Sequence, residues 1–366
     1  MSEENKRLKV GITIGDTNGI GAEVILKTIG VSEMMELFIP VIYGSSKILN
    51  YHRNACHLPQ TQINYTKDAA RLKDNMPNLV ECIDQDIKVE LGQPSKQAGM
   101  ASFLALEAAV RDLKAGLIDA LVTAPISKDN IHSDHFQFPG HTEYLESSAG
   151  EGAKAMMVMC TADLRIALAT THLPLSQVPE ALTINGIREK LRLFNETLKR
   201  DFSVSCPRIA VLSLNPHAGE NGLLGSEERD IILPAIQQSL DEDGVQCFGP
   251  YASDGFFGAR HYRRFDGVLA MYHDQGLTPF KTIAMDEGVN FTAGLPIVRT
   301  SPDHGTGYDI VGQGIANESS LRHAIYTAID VCRNRARYDE AHQNPLPKLF
   351  QDRGRDNVKL DLTKVD

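Results

Sequence analysis

Three histidines stand at comparable places in this chain, each within three residues of the end of an apolar run. His172 follows Arg165-Ile-Ala-Leu-Ala-Thr170, His217 follows Arg208-Ile-Ala-Val-Leu-Ser-Leu214, and His273 follows Asp266-Gly-Val-Leu-Ala-Met-Tyr272. Neutral imidazole is the commonest side chain on zinc and similar divalent ions, and three ligands leave a position open for water or substrate. The three lie 45 and 56 residues apart, so no local metal motif supports the idea, and a lone histidine past a strand is usually a hydrogen-bonding residue. Spacing alone leaves both readings open. Asp254, in Tyr251-Ala-Ser-Asp-Gly255, and Asp274 beside His273 could orient such ligands or accept protons, or simply form turns. A second group is cationic and polar: Lys281, Asn290 and Arg299. A lysine and an arginine near strand ends suit a carboxylate or phosphate, with the arginine able to bind it bidentately. The plainer reading is salt bridging to some of the 47 acidic residues, and Lys128 carries the same two readings.

These residues need a frame to position them. Leu8-Lys-Val-Gly-Ile-Thr-Ile14 and Phe38-Ile-Pro-Val-Ile-Tyr43 read as strands, and residues 101–115 have helical periodicity before the apolar strand at 118–123. Further strands are expected at 156–160, 165–170, 208–214 and 266–272, with helices near 189–200 and 227–240. A last helix places Leu321, Ala324, Ile325, Ala328, Ile329 and Cys332 on one face, starting near Ser320 as a cap. Residues 50–98 are polar and irregular, and the chain after Tyr338 reads as a tail lying on the surface. Buried strands alternating with crossover helices predict an α/β sandwich. In such sheets ligands gather beyond the carboxyl ends of strands, where the histidines stand.

The glycine loop Gly15-Asp-Thr-Asn-Gly-Ile-Gly-Ala-Glu23 lacks the G-x-G-x-x-G order and the lysine of a P-loop, so it reads as a tight strand-to-helix turn. The run Asp303-His-Gly-Thr-Gly-Tyr-Asp-Ile-Val-Gly312 is the better candidate for close approach of a nucleotide to backbone amides.

With 366 residues the chain exceeds what one hydrophobic core usually supports, which predicts two subdomains sharing a cleft. No apolar run reaches the ~20 residues of a bilayer span, and the start lacks the apolar stretch of a secretion signal. A cytoplasmic protein is expected, with Cys56, Cys82, Cys160, Cys206, Cys247 and Cys332 as reduced buried thiols. A net charge of −10 argues against nucleic acid, while a few cations in a cleft can still recruit an anionic small molecule.

Taken in order, Thr123-Ala-Pro-Ile-Ser-Lys, Pro139-Gly-His-Thr-Glu, Thr171-His-Leu-Pro, Leu214-Asn-Pro-His-Ala-Gly-Glu, Gly249-Pro-Tyr-Ala-Ser-Asp, Tyr272-His-Asp-Gln-Gly and Asp303-His-Gly-Thr-Gly resemble the 4-hydroxythreonine-4-phosphate dehydrogenase family, from about residue 8 to residue 335. The resemblance implies a two-domain α/β/α sandwich of the isocitrate/isopropylmalate dehydrogenase-like type, with the active site in the interdomain cleft. One domain would comprise residues 1–130 plus about 300–366, and the other about 131–299. It implies a homodimer, His172, His217 and His273 as ligands of one divalent ion (zinc, magnesium, manganese or cobalt) shared across the dimer interface, and His141, Thr142, Lys281, Asn290 and Arg299 as substrate contacts. NAD would rest its adenosine end on His304, Gly305, Thr306 and Asp309, and no lysine or arginine in 303–312 awaits a 2′-phosphate. The implied reaction oxidises 4-phosphooxy-L-threonine at C3 and decarboxylates the product to 3-amino-2-oxopropyl phosphate, in pyridoxine 5'-phosphate biosynthesis, with Asp254, Asp274 or Lys281 carrying the proton. The glycine loop departs from the family's commoner Gly-Asp-Pro-Ala-Gly-Ile-Gly-Pro-Glu at Thr17, Asn18 and Ala22. The nearest alternative is a related dehydrogenase of 4-phospho-D-erythronate or 4-phospho-D-threonate. A metal-binding sensor without chemistry and an acyltransferase such as phosphate acetyltransferase are more distant ones.

Overall fold

The computed structural model describes residues 7–84, 86–131, 136–138, 140–150 and 152–344. Its strands are Leu8–Thr13 (β1), Phe38–Gly44 (β2), Asn64–Thr66 (β3), Asn78–Glu81 (β4), Ala120–Thr123 (β5), Met156–Cys160 (β6), Arg165–Leu168 (β7), Ile209–Leu212 (β8), Cys247–Tyr251 (β9), Gly267–Ala270 (β10), Val289–Ala293 (β11) and Arg299–Pro302 (β12). Among the described residues they form one sheet in the order β3-β4-β2-β1-β5-β12-β11-β6-β7-β10-β8-β9. The first six run parallel, as do the last four. Between them β11 is antiparallel to both β12 and β6, and β6 is antiparallel to β7. The sheet is thus two parallel wings joined by an antiparallel seam.

Covered on both faces, the inner wing strands β2, β5, β8 and β10 are apolar along their length rather than alternating, and every residue of each is buried. Helix Lys96–Lys114 packs on β1, β2 and β5, and helix Ser319–His342 on β5, β11 and β12. The first starts at Ser95, whose hydroxyl accepts the Ala98 N–H at 3.2 Å, and Thr183 caps helix Ile184–Arg200 in the same way. Helix His273–Ala284 is seated by Leu277 and Phe280 in a cluster with Ile166, Leu168, Val268 and Ala270.

The last helix buries Leu321, Ala324, Ile325, Ala328 and Ile329 as its periodicity requires, with Cys332 partly buried. Ser320 is not its cap. The helix begins at Ser319, and the Ser320 hydroxyl donates to the Gly288 carbonyl at 2.7 Å and accepts the Asp303 N–H at 3.1 Å. The stretch expected to be irregular holds the edge strand β3 and its neighbour β4, too short to show a period. The tail expected on the surface lies, beyond residue 344, outside the described residues. All six cysteines are free, and Cys206 is exposed rather than buried. No helix of the described residues is long and apolar enough to cross a membrane.

Candidate active site

The antiparallel seam makes a floor. Asn290 on β11 pairs with Ser301 on β12 and with Met159 on β6, and Thr292 pairs with Arg299 and Met157. Directly paired residues share a face, as do residues two apart along a strand, so these six side chains stand together. Over them lies a cleft of about 330 Å³ lined also by Thr123, His141–Glu143, His172, His273, Lys281 and 303–305. The site therefore spans the face of the sheet where the wings meet, and not only the tips of strands.

Arg299 is 3% exposed. Its Nε and Nη2 donate to the Thr123 hydroxyl at 3.1 and 2.6 Å, and Nη1 donates to the Thr292 hydroxyl at 3.1 Å. Burial lowers its pKa to about 10, against the pull of Glu143, so it stays charged at neutral pH. Nη2 also stands 3.2 Å from His141 Nδ1. Burial, and then the Arg299 charge, holds His141 well below the ordinary histidine range, so its ring is neutral. A guanidinium only donates, so Nδ1 is the acceptor and the His141 proton sits on Nε2. The result is a cation held by neutral groups, with an N–H donor beside it. Gly140, His141 and Thr142 open helix His141–Ala149 at the same wall, so the start of that helix lines the cleft as well.

Across the cleft the rings of His172 and His273 are 6.0 Å apart between centroids. Asp274 Oδ1 is 2.7 Å from His273 Nδ1, and Glu143 Oε1 is 3.5 Å from His172 Nδ1. Carboxylates on Nδ1 leave Nε2 as the lone-pair nitrogen, the arrangement that orients histidine ligands of a metal. Two donors so disposed fit a divalent cation. Among the described residues no set of three or more His, Cys, Asp or Glu side chains converges to hold one. His217 does not line the cleft; it stands exposed on a turn where His217, Ala218, Gly219, Glu220 and Asn221 all have left-handed backbone. Asp254, in the first turn of helix Ser253–Gly258, is exposed and does not line it either.

Lys281 Nζ is 3.1 Å from Asp303 Oδ1 and 3.0 Å from the Asp303 carbonyl. Burial raises the Asp303 pKa while Lys281 opposes the shift. His304 Nδ1 donates to the Gly305 carbonyl at 3.0 Å, and burial keeps the ring neutral, so Nε2 is a bare acceptor. Three polar atoms of the lining are buried without a partner: Asn290 Oδ1, Asp303 Oδ2 and His304 Nε2.

The 303–312 loop lies against the glycine turn. Ile20 N donates to the Thr306 carbonyl at 2.9 Å, and the Tyr308 hydroxyl donates to Asp16 at 2.7 Å. Asn18 binds the other flank, donating to the Gln93 carbonyl at 2.7 Å and accepting the Glu90 N–H at 2.9 Å. With Asp16, Thr17 and Asn18 buried, the turn is a support for the loop. His304 and Gly305 reach the cleft, whereas Thr306 and exposed Asp309 lie beyond its lining.

The structure thus gathers His141, Thr142, His172, His273, Lys281, Asn290 and Arg299 in one cleft, with Asp274 behind His273. Sequence reading passed over Thr123, Glu143, Ser301 and Asp303. Alternation along β12 was the available signal for the last two, since they follow Arg299 at two-residue steps. Pro139 and the Lys128 side chain lie outside the described residues.

Residues 36–328 match the family described as pyridoxal phosphate biosynthetic protein PdxA. The 4-hydroxythreonine-4-phosphate dehydrogenase of Bacteroides thetaiotaomicron is 52% identical over 364 residues, covering 100% of this chain and 99% of its own. That of a Sulfurihydrogenibium species is 44% identical over 323 residues, 88% of this chain and 98% of its own. The crystal structure of the 4-hydroxythreonine-4-phosphate dehydrogenase from Klebsiella pneumoniae superposes with a TM-score of 0.76 at 32% identity, over 90% of this chain and 99% of that one.

Proposed function

The chain belongs to the pyridoxal phosphate biosynthetic protein PdxA family, and from that premise we propose that it oxidises 4-phosphooxy-L-threonine at C3 with NAD and releases carbon dioxide to give 3-amino-2-oxopropyl phosphate. The observation that carries this reading is the pairing, in one cleft, of a buried arginine held by uncharged groups with two imidazoles oriented by carboxylates. The first suits a phosphate or carboxylate, and the second suits the alcohol to be oxidised.

Arg299, the His141 Nε2–H, Thr142, Asn290 and Lys281 bind the anionic ends of the substrate and fix C3. Oxidation removes a hydride from C3 and the proton of its hydroxyl, leaving a 3-keto acid. The keto group then accepts the electron pair of the C1–C2 bond as carbon dioxide departs. Lys281 is within the cleft to take or return a proton, Asp274 acts through His273, and Asp254 would have to reach a cleft from another subunit. His172 and His273, with His217 from the second subunit of a homodimer, would hold a divalent cation (zinc, magnesium, manganese or cobalt), which would supply positive charge to stabilise the oxygen during oxidation and decarboxylation. NAD supplies the hydride acceptor, with His304, Gly305, Thr306 and Asp309 as the residues that would hold its adenosine end. Residues 1–130 with 300–366, and residues 131–299, would form the two lobes around the cleft of a cytoplasmic enzyme.

The test is turnover on 4-phosphooxy-L-threonine, 4-phospho-D-erythronate and 4-phospho-D-threonate, with metal content measured on the same sample. NAD reduction with the first, lost on chelation and restored by a divalent cation, is the expected result. Turnover confined to the sugar-acid phosphates would overturn the substrate assignment, and full activity without metal would overturn the role of the histidines.

A further inference from the structure

Behind the cleft, on the other face of the seam, a second arginine is buried. Arg335 continues the buried stripe of helix Ser319–His342, four residues past Val331, and is 6% exposed. A charge in such a place must be paired and must have its donors taken up. Its Nε and Nη2 donate to the Asp201 carboxylate at 2.6 and 3.3 Å. Nη1 donates to three successive carbonyls, those of Leu295, Pro296 and Ile297, at 3.1, 3.1 and 3.2 Å.

Those carbonyls belong to the turn that joins β11 to β12. Asp201 follows helix Ile184–Arg200, which packs on β6, β10 and β11, whereas the helix of Arg335 packs on β1, β5, β11 and β12. One guanidinium thus ties a helix of each wing to the turn of the seam between them. Asn334 strengthens the joint, its amide donating to the Asp201 carbonyl at 2.8 Å. The seam side chains that alternate with those of the cleft point to this rear face. Phe291 meets the Phe202 ring at 5.6 Å between centroids, and the Thr300 hydroxyl donates to the Ala324 carbonyl at 2.8 Å.

The pair of the hairpin nearest the turn is Thr292 with Arg299, and Arg299 stands two residues past Ile297. Turn geometry sets the register of a hairpin, so a loosened turn reaches this pair before Asn290 and Ser301, two residues further along. Arg299 depends on that register, because the Thr292 hydroxyl across the pair and Thr123 on β5 take up its donors. We infer that Arg335 is a positioning residue for anion binding: it pins the β11–β12 turn from behind the sheet and so holds Arg299 in place in the cleft. The inference rests on the reading of Arg299 as the partner of the substrate's anionic group.

A double-mutant cycle, read in the kinetics of 4-phosphooxy-L-threonine and NAD, separates this role from mere stabilisation. Arg335→Met should raise the KM for the phosphorylated substrate about tenfold, since small misplacement of a binding group is costly, and change the KM for NAD by less than about threefold. In an Arg299→Ala background the same substitution should alter the substrate KM by less than about twofold, because the group it positions is gone. Should Arg335→Met not fold, Arg335→Lys takes its place: it keeps a charge beside Asp201 but lacks the fork that spans carboxylate and turn. Its rise of about threefold should vanish in the Arg299→Ala background in the same way. Arg200 and Asp339 join the same two helices at the surface, at 2.7 Å, and Arg200→Ala should leave both constants within about twofold. A substrate KM unmoved by Arg335→Met, or raised by the same factor with and without Arg299, overturns the inference. So does an equal rise in Arg200→Ala, which would assign the effect to the helix contact and not to the turn. An Arg299→Ala variant with wild-type KM would instead bring down the anion-binding reading itself.

Discussion

Arg299 shows why a residue's type and its role are separate questions. Its charge was legible in the sequence, but salt bridging to a surface acid was an equal reading until its surroundings were known. Threonine hydroxyls and a neutral imidazole take up its donors, which leaves its positive charge directed at the cleft. Arg299→Ala should raise the KM for the phosphorylated substrate by about 100-fold or more, as expected for loss of a buried bidentate contact, with the KM for NAD changed by less than about threefold. Steady-state kinetics in both substrates checks this, and parallel increases would remove Arg299 from anion recognition. Asp303 was the opposite case: an aspartate before His-Gly reads as a turn former, and nothing in its neighbours announces a buried, unpaired oxygen.

At the scale of elements, the glycine turn and the 303–312 loop behave as one unit although almost 300 residues separate them in sequence. Gly19 has no room for a side chain, since a Cβ there would stand 2.6 Å from the Thr306 carbonyl oxygen. Gly19→Ala should therefore displace the loop, raising the KM for NAD about tenfold with a smaller effect on the phosphorylated substrate. Unchanged nucleotide binding, measured by fluorescence titration of NADH, would detach the loop from the cofactor. The turn that carries His217 is also costly, because Ala218, Glu220 and Asn221 beside it adopt the left-handed region without being glycine. Buried Glu228 braces it, accepting the N–H groups of Leu214 and Asn215 at 2.8 and 2.7 Å.

For the molecule as a whole, the decisive feature is that one protomer brings together His172 and His273 and leaves His217 outside. If His217 completes the site of a second subunit, His217→Ala and His273→Ala variants should each be inactive but complement one another. Mixed dimers then contain one site with all three histidines and one with only His172. Random reassembly of equal amounts should restore about a quarter of wild-type activity, half the dimers being mixed with half their sites intact. Activity staying at background after verified subunit exchange would rule out sharing.

Local pattern determined much of this protein without help. The inner strands β2, β5, β8 and β10 are apolar throughout because both faces are covered, so their positions and the α/β class could be read directly, as could the histidines that end three of the runs. The edge strand β3 and its neighbour β4 could not be read, being too short to carry a period. The antiparallel seam was equally hidden, since strand direction and order depend on partners distant in the chain. That seam, however, is what sets Asn290 beside Ser301, Arg299 beside Thr292 and Met159 beside Asn290. Sequence supplied the side chains with chemical capacity; which of them share a cleft was decided by long-range strand pairing, which fixes faces and neighbours that local propensity does not encode.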